Sequence, residues 1–571
     1  MPLRTSPAQS APADDPEGKR WDARIDDAVA KWDRERDWRE KYVKLFKDGR
    51  FPGAEDDAAS GANVNLCFSY VSLVTALLSG NPAVIQVDPK GEGVDELFAQ
   101  ALEEWLTYSY EETDGPTVQE VTIFDALLRG IAWTKESYDP ETGLDVADAL
   151  TCLEVYVDPI ARYSQKQARF ILQECTKPID EARKFFNRDD LEPNFKLADW
   201  QKGLTYQRSA DTKQSNDKDL IRFYEIWERG ADGSRNLSYR LHKERTWIDR
   251  GPWPFTLDSD EFPYSACVFN TQHEGLDGFS EQQIVDALQR EVNELFEFDR
   301  RTTRRGCAPK VIYRKDAFDE QDVENRLASP KSMQFLGVKA GIPLNDAVKV
   351  LQLDADTREQ KEVYGRAKAM HDEVLGFDEL LRGATSNEMT KAEAEIREGV
   401  SMTRLEARQG KVDKWLVRST RHRAQIARQL VDPQLVARVV APEKAQAFVQ
   451  YAGEAKDLVR EFSIGVRAGS TGKNARKRDV DEARETYEIA EHTNMTLVSF
   501  GLPPMYDLAA ISMDLMESRR IRNPKRFLLP PPAPMQMAVD PMTGQPVAQD
   551  PAMAMQGQPQ MQGAMPAGVL V

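Results

Sequence analysis

The chain has 571 residues, 76 Lys and Arg against 94 Asp and Glu, a formal net charge of −18, and 41% hydrophobic residues. That length holds roughly three or four domains' worth of sequence, and the composition is that of a globular chain with ample core. The acidic balance argues against a sequence-independent nucleic-acid binder that relies on a net basic surface. Five cysteines without a C-x-x-C pair argue against a disulfide frame or zinc site and suit a reducing cytosol.

Residues 1–20 are rich in Pro, Ala, Ser and Asp and predict a disordered N-terminus with no apolar signal core. Helical periodicity then runs to about residue 135. It includes the amphipathic WDARIDDAVAKWDRERDWREKYVKLF and an apolar stretch, 67–80, too short and too rich in Ser and Thr to span a bilayer. From about 151 to 275 the texture changes to short β-like runs, LEVYVDP, ARFILQECTK, LIRFYEIWER and NLSYRLHKERTWI, punctuated by Gly, Pro and Asp.

At Ser280 the pattern turns helical again. Ile284, Leu288, Val292 and Leu295 recur at helical spacing, Ser280 suits an N-cap, Glu281 puts negative charge in the first turn, and Arg300, Arg301, Arg304 and Arg305 gather at the other end. Gly306 is the expected stop. A more β-like insert follows, and a second long helix starts near Asp356 with a seam of Val363, Ala367, Met370, Val374, Phe377 and Leu381. Each helix is expected to be about 40 Å long, so that the pair forms an antiparallel hairpin with the insert on its tip. After RGATSNEM a third helical run extends from Thr390 to about Leu430, with a bend expected near Gly399 or Gly410. A helix over 441–460, a strand in FSIGVRAGS and two further helices ending near Ile521 complete the pattern. From Pro530 the chain becomes a Pro-, Met- and Gln-rich segment that cannot bury a core.

Chemistry-bearing motifs are sparse. AGSTGKN, 468–474, approaches a phosphate-binding loop, but Arg467 stands where the first glycine belongs and Asn474 where a Ser or Thr should hold magnesium. A β-turn after a strand is the better reading. The histidines (His242, His273, His371, His422 and His492) show no metal-binding spacing, and no nucleophile elbow or dinucleotide fingerprint occurs. Basic residues concentrate late, in 411–428, 473–478 and 519–526, where they form either ordinary solvated faces or the border of something polyanionic.

The order of these parts resembles the portal (head-to-tail connector) proteins of tailed bacteriophages, from about residue 40 to about 528. The strings that carry the likeness are VYVDP followed by a strand and EARKFF, FPYSACVFNTQHEGLDGFSEQQIVDALQREVNEL leading into a long helix, ELLRGATSNEMTKAEAEI, and RNPKRFL. Thr390-Lys391-Ala392-Glu393 departs from the family's Thr-Ala-Thr-Glu-like string, which leaves the limits of the adjoining loop open.

The resemblance implies an α+β, predominantly helical subunit of a ring, twelve-fold in mature virions, around a channel for double-stranded DNA. Residues 21–279 correspond to the first part of the wing, 280–305 and 356–382 to the two stem helices, and 306–355 to the clip. The tunnel loop corresponds to 383–390, the second part of the wing to 391–478, the crown to 479–528, and a disordered tail to 529–571. It further implies Ser386, Asn387, Glu388, Met389 and Thr390 facing DNA; Lys310, Arg314 and Lys315 facing terminase; and Arg519, Arg520, Arg522, Lys525 and Arg526 as a basic end of the crown. The implied partners are copies of the chain, the terminase large subunit, head-completion, adaptor and tail proteins, and major capsid and scaffolding proteins. No catalytic residue, cofactor, metal or membrane is implied, and the setting is the capsid vertex, with host cytoplasm during assembly. The alternatives are a helical scaffold or minor capsid protein without a DNA channel, and a packaging ATPase or nuclease, which needs the phosphate loop found wanting above.

Overall fold

The computed structural model describes residues 16–49, 63–91, 95–162, 164–196, 220–230, 232–272, 275–307, 310–313, 316, 343, 348–351, 358–376, 391–451, 455–467, 470–471, 475–501 and 503–518. It is a mixed α+β chain in two compact units, Met1–Ala475 and Arg476–Val571.

The first unit opens with α1 (Pro16–Asp48), which begins inside the stretch expected to be disordered. Trp21, Ile25, Ala28 and Trp32 are buried at steps of four, three and four, and this stripe holds the end of the helix in place. It lies on a five-stranded antiparallel sheet. The Trp32 Nε1–H donates to the Val157 carbonyl at 3.0 Å, and Trp21 meets Phe170 edge-on at 5.3 Å. The sheet contains β4 (Val155–Val157), β5 (Phe170–Pro178), β6 (Leu220–Arg229), β7 (Arg235–Leu241) and β8 (Trp247–Pro252), in that order. These are the β-like runs read from the sequence. α5 (Ile179–Phe186) packs Phe186 against Phe223 and Tyr239.

A second core gathers α2 (Leu66–Leu78), α3 (Glu96–Glu112) and α4 (Gly115–Arg129), with Leu102, Trp105, Ile123 and Leu127 at its centre. The helical periodicity read to about residue 135 corresponds to α1 to α4, with two strands that it did not show. β1 (Ile85–Pro89) interrupts it and pairs antiparallel with the distant β12 (Phe462–Val466), and β2 (Ala132–Asp139) forms a hairpin with β3 (Leu144–Leu150). β9 (Tyr264–Cys267) flanks β2 on its other edge. β2 shows no apolar alternation because two of its buried residues, Thr134 and Glu136, are polar.

The expected helix pair is present in altered form. Ser280 is the N-cap, accepting from the Gln282 N–H at 3.1 Å, but only α6 (Glu281–Ile284) follows before Val285 breaks the helix. α7 (Asp286–Cys307) then runs through Gly306, so that glycine does not stop it. β10 (Lys310–Tyr313) and β11 (Val348–Leu351) pair antiparallel beyond its end. α8 (Arg358–Leu375) returns antiparallel to α7, with Val292 against Ala367 and Phe296 near Tyr364. At 1.5 Å per residue the two helices are about 33 and 27 Å long, shorter than expected. The packing face of α8 also differs: Ala367, His371 and Leu375 are buried, whereas Met370 and Val374 face outward.

α9 (Lys391–Leu430) is a single helix of 40 residues that passes through both Gly399 and Gly410. α10 (Pro433–Val439) follows. The helix expected over 441–460 is two, α11 (Pro442–Gln450) and α12 (Ala455–Glu461). The second unit contains nearly all of α13 (Ala475–Ser499), together with α14 (Leu508–Ser518); the Asn494 side chain ties the connection to α13 by accepting from the Met505 and Tyr506 amides. Among the described residues no helix is long and apolar enough to cross a membrane.

Candidate functional site at the base of the helix pair

Of the expected site residues, Lys310 lies on β10 opposite Leu351. Ser386, Asn387, Glu388, Met389, Thr390, Arg314, Lys315, Arg519, Arg520, Arg522, Lys525 and Arg526 lie outside the described residues, as does the tail 529–571. The structure does describe the end of α8, which precedes 377–390 in the chain, and its contacts with α9, which follows.

A helix leaves its last carbonyls without partners. For α8 those carbonyls are taken by two arginines one turn apart on α9. Arg404 Nη1 donates to Glu373 O at 2.9 Å and Val374 O at 3.3 Å, and Arg408 Nη2 donates to Leu375 O at 3.0 Å. Cations here also oppose the negative end of the helix dipole. Gly376 then turns the chain away with φ +67°, and a Cβ there would lie 2.3 Å from Arg404 Cδ. α9 starts at Lys391, about 13 residues before Arg404, so about 20 Å of its length precedes this clamp.

The same Arg408 holds the other helix. Its Nε donates to Glu281 Oε1 at 2.9 Å, and the Tyr70 hydroxyl donates to the other oxygen of that carboxylate. Glu281 is 5% exposed and Tyr70 is 1% exposed, so the cluster is buried. Burial and the adjacent Glu281 charge push the Tyr70 hydroxyl pKa well above its ordinary value, which keeps it a donor. One guanidinium therefore joins the start of α6 to the end of α8. Sequence reading registered Glu281 only as a charge at a helix start; the i, i+4 spacing of Arg404 and Arg408 was the available signal for the clamp.

Further along, α9 is fastened to β2 and β3 and to β12. Trp415 Nε1 donates to Thr134 Oγ1 at 3.0 Å, Arg421 to Ile464 O at 3.0 Å, and Arg423 to Asp145 Oδ2 at 2.8 Å; Trp105 Nε1 also donates to Asp145, at 2.9 Å. His422 sits between Glu136 and Glu261, 3.1 Å from each, with Lys166 and Arg418 also on Glu261. Burial alone would lower the His422 pKa, but its bonds to Glu136 and Glu261 and the Glu136 charge outweigh this and hold it above its ordinary value. Ser265 lies beside this pair and its hydroxyl donates to Glu136 at 3.1 Å. The set has the members of a nucleophilic triad but not its arrangement, because both imidazole nitrogens already face carboxylates and the serine is fully buried. The basic run 411–428 thus directs Arg421, His422 and Arg423 inward rather than toward an external polyanion.

In the phosphate-loop lookalike, Ser470 Oγ accepts from the Val84 amide at 3.2 Å and Thr471 Oγ1 from Gln409 at 2.5 Å, so both hydroxyls tie the turn to the fold. Among the described residues no group of three His, Cys, Asp or Glu side chains is placed to hold a metal ion. No protein-family model and no curated protein sequence matches the chain.

Proposed function

We propose that this chain is a portal-type subunit, one copy in a closed ring at a capsid vertex, through which double-stranded DNA enters and leaves. The observation that carries the reading is the antiparallel helix pair α7–α8. It bears the strand pair β10–β11 at one end and is clamped at the other by Arg408, beside the segment 377–390. In this reading the pair is the stem, the strand pair belongs to a clip that docks terminase and later head-completion, adaptor and tail proteins, and 383–390 approaches the DNA. Ser386, Asn387, Glu388, Met389 and Thr390 are its DNA-facing residues, Lys310, Arg314 and Lys315 face terminase, and Arg519, Arg520, Arg522, Lys525 and Arg526 lie toward DNA inside the capsid. Major capsid and scaffolding proteins surround the ring.

The subunit acts as a passive conduit and supplies no chemistry of its own. A protein making roughly 6–10 phosphate contacts gains several orders of magnitude in affinity at low salt, which works against free passage of the duplex. A chain carrying a net charge of −18, repeated around a ring, avoids that grip. The clamp has a mechanical role here: tension on 377–390 passes through Arg404 and Arg408 into α8 and, by way of Glu281, into α6 at the foot of α7. Imaging of the purified full-length chain for closed rings with an axial hole tests the reading; a population of monomers contradicts it.

A further inference from the structure

The helix hairpin of the second unit has an apolar tip. Met495, Val498, Phe500, Met505 and Tyr506 all lie exposed at the end of α13 and in the turn toward α14, Phe500 at 77% and Met505 at 73%. The turn is firmly built. The Asn494 side chain accepts from the Met505 and Tyr506 amides at 2.9 and 3.0 Å and donates to the Tyr506 carbonyl at 2.7 Å. These bonds hold Met505 and Tyr506 against the last turns of α13, so the five side chains share one end of the hairpin. Among the described residues of α13 and α14 only Ala490 and Asn494 are buried. Two helices of this length have too little shared interior to cover their own apolar side chains, and a concentrated exposed patch marks a contact.

Charge argues against a second copy of the hairpin as the partner of this tip. Residues 479–518 hold nine Asp and Glu against one Arg, so two such surfaces brought together repel. Residues 529–571 of the same chain have the opposite character. They hold Asp540 and Asp550, no Lys or Arg, and seven of the 16 methionines. A segment that buries no core of its own can still cover the apolar surface of another, and thioethers make favourable contacts with aromatic rings such as those of Phe500 and Tyr506. The intervening stretch 519–526 is basic, so the acidic hairpin attracts it on the way back. Reach is ample: α14, Leu508–Ser518, spans about 16 Å, and residues 519–528, if extended, cover about 33 Å. The tether also gives this segment an effective concentration that a separate partner must match. We propose that residues 529–571 fold back onto the hairpin tip of their own chain and seat methionines on Phe500 and Tyr506. The inference stands whether or not the chain closes into a ring.

Photo-crosslinking of the full-length chain tests this. Phe500→p-benzoylphenylalanine places a photoreactive ring at the tip, and isotopically light and heavy chains are mixed before irradiation so that mass spectrometry separates links within one chain from links between copies. The expected result is links from position 500 to peptides of 529–571 in the same chain. A second measurement uses full-length protein without the photoreactive group. Replacing the seven methionines of 529–571 by serine should make Met495 and Met505 oxidise severalfold faster in dilute peroxide, because the cover is lost. Links that join light to heavy chains place another copy on the tip and overturn the proposal. So do links confined to other segments, the absence of links, or oxidation of Met495 and Met505 at the same rate in both proteins.

Discussion

Arg408 and Glu281 meet at 2.9 Å although 127 residues separate them in the chain, and the same guanidinium joins the start of the short helix α6, just ahead of α7, to the end of α8. Both side chains are largely buried, at 14% and 7% exposure. Breaking a buried ion pair by removing one partner costs about 3–5 kcal/mol, because the other charge is left unmet. Arg408→Ala should therefore loosen the base of the pair before it affects the sheets. Hydrogen exchange should show amides of Arg358–Leu375 exchanging faster while those of β5 and β6 stay protected. Arg408→Lys should fall between the two, since a lysine cannot serve both Glu281 and Leu375 O in the same geometry. Uniform loss of protection across the first unit would contradict a local clamp.

Gly376 adopts φ +67° against Arg404. An alanine there suffers the left-handed penalty of roughly 1–2 kcal/mol and must displace a flexible arginine that caps two carbonyls. Gly376→Ala should lower the free energy of unfolding by at least that amount, and Arg404→Ala should remove the steric part of the effect. The double-mutant cycle measures it: strictly additive losses would mean that the two residues do not press on one another.

The Glu136–His422–Glu261 cluster predicts a dependence on pH with a definite sign. His422 has a raised pKa when folded, so its contribution is complete below about 6.5, the unfolded value, and fades as pH rises through the higher folded one. Glu136 and Glu261 are lowered: burial alone would raise both, but the His422 bond and positive charge nearby outweigh it. Their contributions are present above about 4.3 and fade as pH falls through the folded values. His422→Leu should cost about 3–5 kcal/mol near pH 6, and the gap to the wild type should narrow as pH rises through the raised folded pKa of His422. Urea unfolding across that range gives the answer. A gap that does not change with pH would mean that His422 is not charged in the folded chain.

Much of this fold was legible in the sequence, for physical reasons that can be named. The sheet from β4 to β8 announced itself through runs such as LIRFYEIWER, whose large apolar side chains are bounded by turn residues. β2 did not, because Thr134 and Glu136 are buried through hydrogen bonds to one another, Trp415 and His422, partners that only the tertiary fold supplies. The seam of α8 was displaced for a similar reason. His371 and Leu375 face inward where apolar periodicity favoured Met370 and Val374, and sequence period alone cannot weigh a buried histidine against an exposed methionine. The clamp was hidden because three of its acceptors are backbone carbonyls, which carry no residue signature.

Exposed apolar residues on the helix pair bear on assembly. Phe298 and Met370 are each 54% exposed in the single chain. In a ring whose stems pack side by side, such positions become contacts between copies. Phe298→Glu and Met370→Glu should leave the free energy of unfolding within about 0.5 kcal/mol of the wild type while shifting sedimentation toward smaller species. Unchanged sedimentation in both would place the contacts between copies elsewhere.

The segment Ser386–Met389 separates a conduit from a scaffold. Its deletion should leave the oligomer intact and reduce DNA packaging and retention in assembled particles. Packaging and retention equal to the wild type would remove these residues from the DNA path.

The most direct test of the central claim is electron microscopy of the purified full-length chain, with class averages sorted by rotational symmetry. The portal reading predicts closed rings of about twelve copies with an axial hole wide enough for a DNA duplex. Monomers or irregular aggregates at every salt concentration would contradict it and favour a scaffold without a channel.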